Sequence, residues 1–283
     1  MVKIVTDSVA DIPPEIAQTL GITIVPLYVR FGTEVYRDRI DLSTREFYRK
    51  LVHGTVFPTT AAPSPGDFAQ VYDRLAEETD EILSLHLVSN LSATFDAAIQ
   101  GREIRKNNKC RVTVIDTQSA AMAQGLIVMT AAEAARAGKN LEQVTNVVNE
   151  AIPKVHLWGC FDTLEYLRRG GRIGRATALV GSILKINPIV TLRNSTVEPA
   201  GRERSRIKAI EHVYTLIEGF SGKIGKLAVE YADYGTTPQE AEAFARRLHP
   251  LLPPGERPYM SVLSPVMGAH TGPGTIIASV LEN

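Results

Sequence analysis

The chain has 283 residues, 31 Lys and Arg against 31 Asp and Glu, and 44% hydrophobic residues. Balanced charge supplies no global field for nucleic acid or an anionic membrane surface, so any ligand must be met by a local site. The length suffices for two ordinary domains, each with its own core, and no run approaches the ~18 apolar residues of an integral membrane segment.

The opening stretch meets a carboxylate at Asp7, too early for the apolar core of a signal peptide, which predicts a cytoplasmic protein. Short β-branched runs at 4–6, 22–29, 81–88 and 111–116 read as strands. Helical periodicity falls between them, near 14–20, 45–52, 65–79, 95–105 and 120–137. Helix starts are marked by Ser43 three places before Glu46, by Ser64 before Asp67 with Pro65 in the first turn, and by Asn140 before Gln143. Gly21 and Gly138 stand where a left-handed residue ends a helix. This alternation predicts an α/β, Rossmann-like, mostly parallel sheet covered on both faces.

After about residue 152 the pattern changes. Strands at 154–161 and 188–192 are followed by Asn194-Ser195 and then Thr196-Val-Glu198, a hairpin signal that implies antiparallel pairing. A helix at 207–217, a strand at 227–231, a helix capped by Thr237 and strands near 259–263 and 275–280 complete a smaller α+β unit. The last of these is assigned as strand on its β-branched content. The predicted domains are 1–157 and 158–283.

Three polar segments carry the chemistry: Pro58 to Asp67, Ser89 to Thr94, and His270-Thr-Gly-Pro-Gly274. They offer hydroxyls, an imidazole and glycine-rich backbone without an acid to pair with a nucleophile, a set suited to holding an anion. Ser89 to Ser92 follows a strand and opens a helix, so Ser92 either caps that helix or faces an anion there. Thr59 and Thr60 are turn residues or anion ligands by the same reasoning. His270 beside a rigid Gly-Pro-Gly turn is either a ligand contact or a structural histidine. Arg168, Arg169, Arg172 and Arg175 gather on a glycine-rich turn, as a phosphate or partner patch or as a solvated basic loop. No G-x-S-x-G, G-x-x-x-x-G-K-[ST] or H-E-x-x-H motif occurs, and the 170–174 segment lacks dinucleotide-loop spacing. Cys110 and Cys160 stand apart from each other and from metal-ligand patterns, which predicts buried reduced thiols and no metal site.

Thr6-Asp-Ser8 with Asp11-Ile-Pro13, Pro58-Thr-Thr60 with Pro63 to Phe68, Leu91-Ser92, Asp162 to Ile173 and His270 to Gly274 occur in that order. Together they resemble the DegV family of bacterial fatty-acid-binding proteins over essentially the whole chain. The resemblance implies a Rossmann-like domain plus a smaller α/β domain, with a long-chain fatty acid of palmitate type buried between and within them and no other cofactor. It also implies a carrier, not an enzyme. Some members resemble the acyl-carrying subunit of bacterial fatty acid kinase, which presents the carboxylate to a separate ATP-dependent kinase that makes acyl phosphate for phospholipid synthesis. By position, the implied carboxylate ligands are Thr60, Ser92 and His270. Arg172, Arg202 or Arg204, and Ser8 are the implied further head-group or partner contacts.

The sequence departs from the family pattern at Ala61-Ala62, where Ser-Gln is usual, at Ala93, where Gly is usual, and at Asn187, where Lys is common. The apolar stretch 176–186 and Ile276-Ile277 are candidate tail contacts. Two other readings remain open from the residues: an acyl or phosphoryl transferase using His270 as acid or base, and a fatty-acid sensor.

Overall fold

The computed structural model describes residues 1–180 and 186–283. Its first half is built on four parallel strands in the order β2-β1-β6-β7, with β1 at Lys3–Asp7, β2 at Ile22–Val25, β6 at Glu81–His86 and β7 at Arg111–Asp116. The helices Pro65–Leu75, Thr94–Ile104, Ala121–Arg136 and Leu141–Ala151 accompany it. All three expected capping boxes are present, at Ser43/Glu46, Ser64/Asp67 and Asn140/Gln143. Gly21 ends the first helix, Pro14–Leu20, at φ 68°.

One expected strand divides. The run 22–29 breaks at Pro26, whose ring nitrogen has no hydrogen to give a ladder. The chain then leaves the parallel sheet and forms β3 at Tyr28–Phe31, which pairs antiparallel with β4 at Glu34–Arg37 and β5 at Thr59–Ala61. This small sheet, which sequence patterning did not reveal, is what carries Thr60.

The second half is a six-stranded sheet in the order β10-β9-β8-β13-β11-β12. Its strands are β8 at Val155–Cys160, β9 at Asn187–Arg193, β10 at Thr196–Glu203, β11 at Ile224–Tyr231, β12 at Tyr259–Val262 and β13 at Ile276–Glu282. Pairing is antiparallel throughout except between β11 and β12. Asn194 and Ser195 both take positive φ, 50° and 59°, as a two-residue β9–β10 turn requires. β8 crosses the expected boundary at 157 and pairs within this sheet along its whole length. Both cysteines are buried and free. No helix among the described residues is long and apolar enough to cross a membrane.

A dry polar network locks the carboxyl ends of β1 and β6. Asp7 accepts four hydrogen bonds: from Val9 N (3.0 Å), Leu87 N (3.0 Å), Gln124 Nε2 (3.1 Å) and His86 Nδ1 (2.9 Å). His86 Nε2 then meets the Ser84 hydroxyl at 2.7 Å, and Tyr72 donates to Ser84 at 2.8 Å. Asp7, Ser84 and His86 are fully buried. The bonds fix one direction: Tyr72 to Ser84, Ser84 to His86, His86 to Asp7. Asp, His and Ser in sequence resemble a catalytic relay, but no ligand can reach a serine with no exposure. Removing the Asp7 carboxylate would orphan several buried donors at once. Asp7→Ala is therefore expected to lose about 3–5 kcal/mol of stability, measured by urea unfolding; a loss below about 1 kcal/mol would contradict the network's role.

Candidate functional site

A cavity of about 210 Å³ lies between the two halves. Val9 after β1, Leu27, Leu87, Ala120 and Ala121 line it from the first half; Leu157, Phe161, Val190, Leu192, Val266 and Ile277 line it from the second. Ala121 holds φ 58°, a left-handed conformation costly for a residue with a Cβ, at the point where its helix begins beside the cavity.

The polar lining residues are Thr60, Ser92, Arg172, Thr191, His270 and Thr271. Two of these are already committed: Thr191 Oγ1 donates to the Leu157 carbonyl and Thr271 Oγ1 to the Met267 carbonyl. The other four form a connected group. Thr60 Oγ1 lies 2.8 Å from His270 Nε2. The other face of the imidazole rests on Gly170, where an added Cβ would come within 2.3 Å of Nδ1. Arg172 follows in the same turn; it donates from Nη1 to the Gly170 carbonyl (2.7 Å) and from Nε to the Leu91 carbonyl (3.0 Å), one residue before Ser92. One side chain thus ties the His270 neighbourhood to the Ser92 loop across the two halves.

Each of these side chains is set by its own local structure. Thr60 is fixed by the β5 register opposite Val29. Ser92 precedes the helix Thr94–Ile104, and its hydroxyl accepts from the Thr94 N–H (3.3 Å) and meets Thr94 Oγ1 (2.9 Å), so it serves the helix start and the cavity together. His270 sits in the helix Pro265–Thr271, capped by Ser264. Sequence reading placed His270 only beside the Gly272–Gly274 turn; Ser264-Pro265 is the start signal that would have revealed the helix.

Burial and the nearby Arg172 charge push the His270 pKa down to about 4, so the ring is neutral at physiological pH. No carboxylate pairs with Arg172 among the described residues, unlike Arg168, Arg175 and Arg206, which have Glu165, Glu198 and Asp162. The departures at Ala61, Ala62 and Ala93 all fall on the cavity wall. Ser8, Arg202 and Arg204 lie outside the lining: Ser8 is buried and accepts from Leu27 N, Arg202 is on β10, and Arg204 follows it exposed. Ile277 faces the cavity, whereas Ile276 packs with Trp158 in a separate core cluster. Within 176–186, Ala176 is buried beside Phe161, and residues 181–185 lie outside the described residues.

A low His270 pKa has a definite sign. Below pH ~6.5 the unfolded chain takes up a proton that the folded site refuses, so this residue's contribution to stability falls as pH drops toward 4. An NMR titration of the His270 ring is expected to show a midpoint near 4; a midpoint at the ordinary histidine value would mean the ring is solvated.

The family model described as "Uncharacterised protein, DegV family" matches residues 1–283. A DegV domain-containing protein of Deinococcus radiodurans is 40% identical over 225 residues, 78% of this chain and 79% of that protein. Among solved structures, a fatty-acid-binding DegV family protein from Thermus thermophilus is similar at 34% identity with a TM-score of 0.90, covering 100% of this chain and 99% of the other. DegV of Bacillus subtilis, described as a fatty acid binding protein, is similar at 30% identity with a TM-score of 0.89 over 100% and 99% of the two chains. The chain belongs to the DegV family.

Proposed function

We propose that this protein binds a long-chain fatty acid with its tail in the cavity between the halves and its carboxylate among Thr60, Ser92, His270 and Arg172. The observation that carries this reading is a guanidinium without a carboxylate partner, set beside the Thr60 hydroxyl and the Ser92 loop at one part of an otherwise apolar cavity. An arginine is always charged, and a half-buried one needs an anion. Here the ligand supplies it. The descriptions of the Thermus and Bacillus proteins as fatty-acid binders support the same ligand class.

The neutral histidine completes the donor logic. With Nδ1 buried against Gly170 and without a partner, the Nε2–H tautomer donates to Thr60 Oγ1. The Thr60 hydroxyl hydrogen is then free for the carboxylate. That geometry superficially matches a nucleophile and its base, but a histidine with a pKa near 4 is a poor base at pH 7, and no acidic group orients its Nδ1 among the described residues. A carrier therefore fits better than a transferase.

Affinity and orientation come from different parts of the ligand. Fifteen methylene-like carbons at ~0.8 kcal/mol each give a gross gain of roughly 12 kcal/mol, whereas each charged hydrogen bond nets ~1.5–3 kcal/mol. The head group decides which end stays near the mouth. Beside it, the exposed Arg169 guanidinium stacks 3.7 Å over Phe57 while its neighbour Arg168 pairs with Glu165, a rim with one open cation suited to an anionic partner such as a nucleotide-bearing kinase. Presentation of the carboxylate to an ATP-dependent fatty acid kinase is the role this rim supports.

Purified protein is expected to carry C14 to C18 fatty acid, detectable by mass spectrometry of an organic extract. Lipid-free preparations that show no thermal shift with palmitate or oleate would refute the carrier reading. Arg172→Gln is expected to weaken palmitate binding roughly ten- to hundredfold, by loss of the charged head-group bond; an unchanged Kd would remove Arg172 from the lipid site. His270→Ala is expected to depress acyl-phosphate formation with a fatty acid kinase more than lipid retention, since transfer depends on where the carboxylate is held.

A further inference from the structure

Away from the cavity, at the base of the His270 helix, three buried carboxyls lie near one guanidinium, which bonds only the first of them, Asp11. Asp11 Oδ1 accepts from Arg39 Nη2 (2.9 Å) and from the Ser264 N–H (3.2 Å), the residue that caps the helix Pro265–Thr271. Asp38 Oδ1 accepts from the Val266 N–H at 3.3 Å, in the first turn of that helix. Arg39 also donates to the Val262 carbonyl, and Ser261 Oγ donates to the Asp11 carbonyl. Glu230 on β11 is the third acid; it is fully buried beside Asp11 and the Met122 N–H, with neither oxygen in a well-formed hydrogen bond. One Asp38 oxygen is likewise unpartnered.

The charge count decides the chemistry. With all three acids ionised, a dry site would hold three negative charges against one positive charge, and an uncompensated buried charge costs several kcal/mol. Protons must supply the difference. The other titratable groups facing this region do not: burial holds the Tyr48 phenol well above its ordinary range, and Asp233 beside it is a further acid. A groove of about 490 Å³, lined by Arg39, Ser261 and Val262 and flanked by Glu15 and Glu242, brings solvent to the edge of the cluster, so protons can exchange.

We propose that Asp11, Asp38 and Glu230 around Arg39 form a proton-loaded latch that positions the His270 helix against the first half, closed while the surplus carboxyls are neutral and loosened as they ionise. Burial is the main cause that pushes Asp11 up to about 7 and Asp38 up to about 6, and it drives Glu230 upward as well. The sign follows. Carboxyls with raised folded pKa values add stability that is full below the ordinary value and is lost as pH rises through about 6 to 7. The latch is therefore tighter at pH 5 than at pH 8. The same helix carries His270, Val266 and Met267 to the cavity, so the latch also bears on ligand release. That last consequence rests on the head-group reading above.

Glu230→Gln removes one surplus charge and keeps a side-chain oxygen to face the Met122 N–H. Its melting temperature is expected to exceed that of the natural chain at pH 8 and to match it at pH 5. Amide exchange of residues 264–271, normalised for intrinsic rate, is expected to slow about tenfold at pH 8, the factor carried by each pH unit of single-proton linkage. Comparing the two chains at each pH cancels the opposing titration of His270. Asp38→Asn is the second variant, read in the same way if Glu230→Gln does not fold. A difference equal at both pH values, or destabilisation at pH 8 in both variants, would overturn the latch. The off-rate of a fluorescent fatty acid at pH 8 is measured in parallel. If melting and exchange shift as expected while the off-rate does not, the latch stands and the head-group assignment of His270 falls.

Discussion

A carboxylate that never meets water organises the cavity. Asp7 ends β1 and gathers Val9 N, Leu87 N, the Gln124 amide and the His86 imidazole around two oxygens. Val9 and Leu87 are cavity walls, and Gln124 belongs to the helix whose first residue, Ala121, is another. An apolar cavity has no directional forces of its own and would tend to collapse. The bonds that hold its walls apart are made on the strand side, where every buried donor finds an acceptor. Tyr72, Ser84 and His86 extend the same chain into the core, so moving the wall means breaking several buried hydrogen bonds at once.

The second constraint is that the polar cavity residues are divided between the halves. Thr60 and Ser92 come from the first, Arg172 and His270 from the second, and the Arg172 bonds to Leu91 and Gly170 span the join. Close packing at glycines makes this possible. Gly170 lets the turn lie on the imidazole, and Gly268 lets the same helix approach Phe47 and Tyr48, where a Cβ would come within 2.5 Å of the Phe47 ring. His270 is thus pressed on one side by Gly170 and held by Thr60 on the other. That burial, with the nearby Arg172 charge, lowers the pKa and leaves the ring neutral at physiological pH.

Much of this was legible in the residues. Capping boxes marked three helix starts because reciprocal side-chain bonds need fixed spacing, and Asn194-Ser195 marked the hairpin because few residues accept two successive left-handed conformations. The hydroxyl-rich segments containing Thr60 and Ser92 were recognisable as anion-suited, although their convergence with His270 depends on long-range pairing that local pattern does not encode. The small sheet β3-β4-β5 was hidden because Pro26 interrupts a continuous β-branched run without changing its composition. The Asp11–Arg39–Asp38 cluster was invisible for a related reason. Its members lie far from Glu230 and Ser264 in sequence, and buried acids look like surface acids until the fold is known.

The two polar centres differ in how their charge is balanced, and the difference assigns their roles. Around Asp7, one carboxylate faces four donors and the protein itself completes the set, which suits a permanent structural element. At the mouth, a guanidinium stands beside neutral polar groups with no carboxylate to balance it among the described residues, the imbalance on which the fatty-acid reading rests. Around Arg39, acids exceed bases, and protons complete the set. A deficit of negative charge calls for an anionic ligand; a surplus calls for protons. Both imbalances meet on the short helix Pro265–Thr271, whose first turn is bound by Asp11 and Asp38 and whose last turn presents His270. The helix is only seven residues long, so its two ends are close. On the latch proposal, the imidazole answers to the acids behind it as well as to the cavity in front.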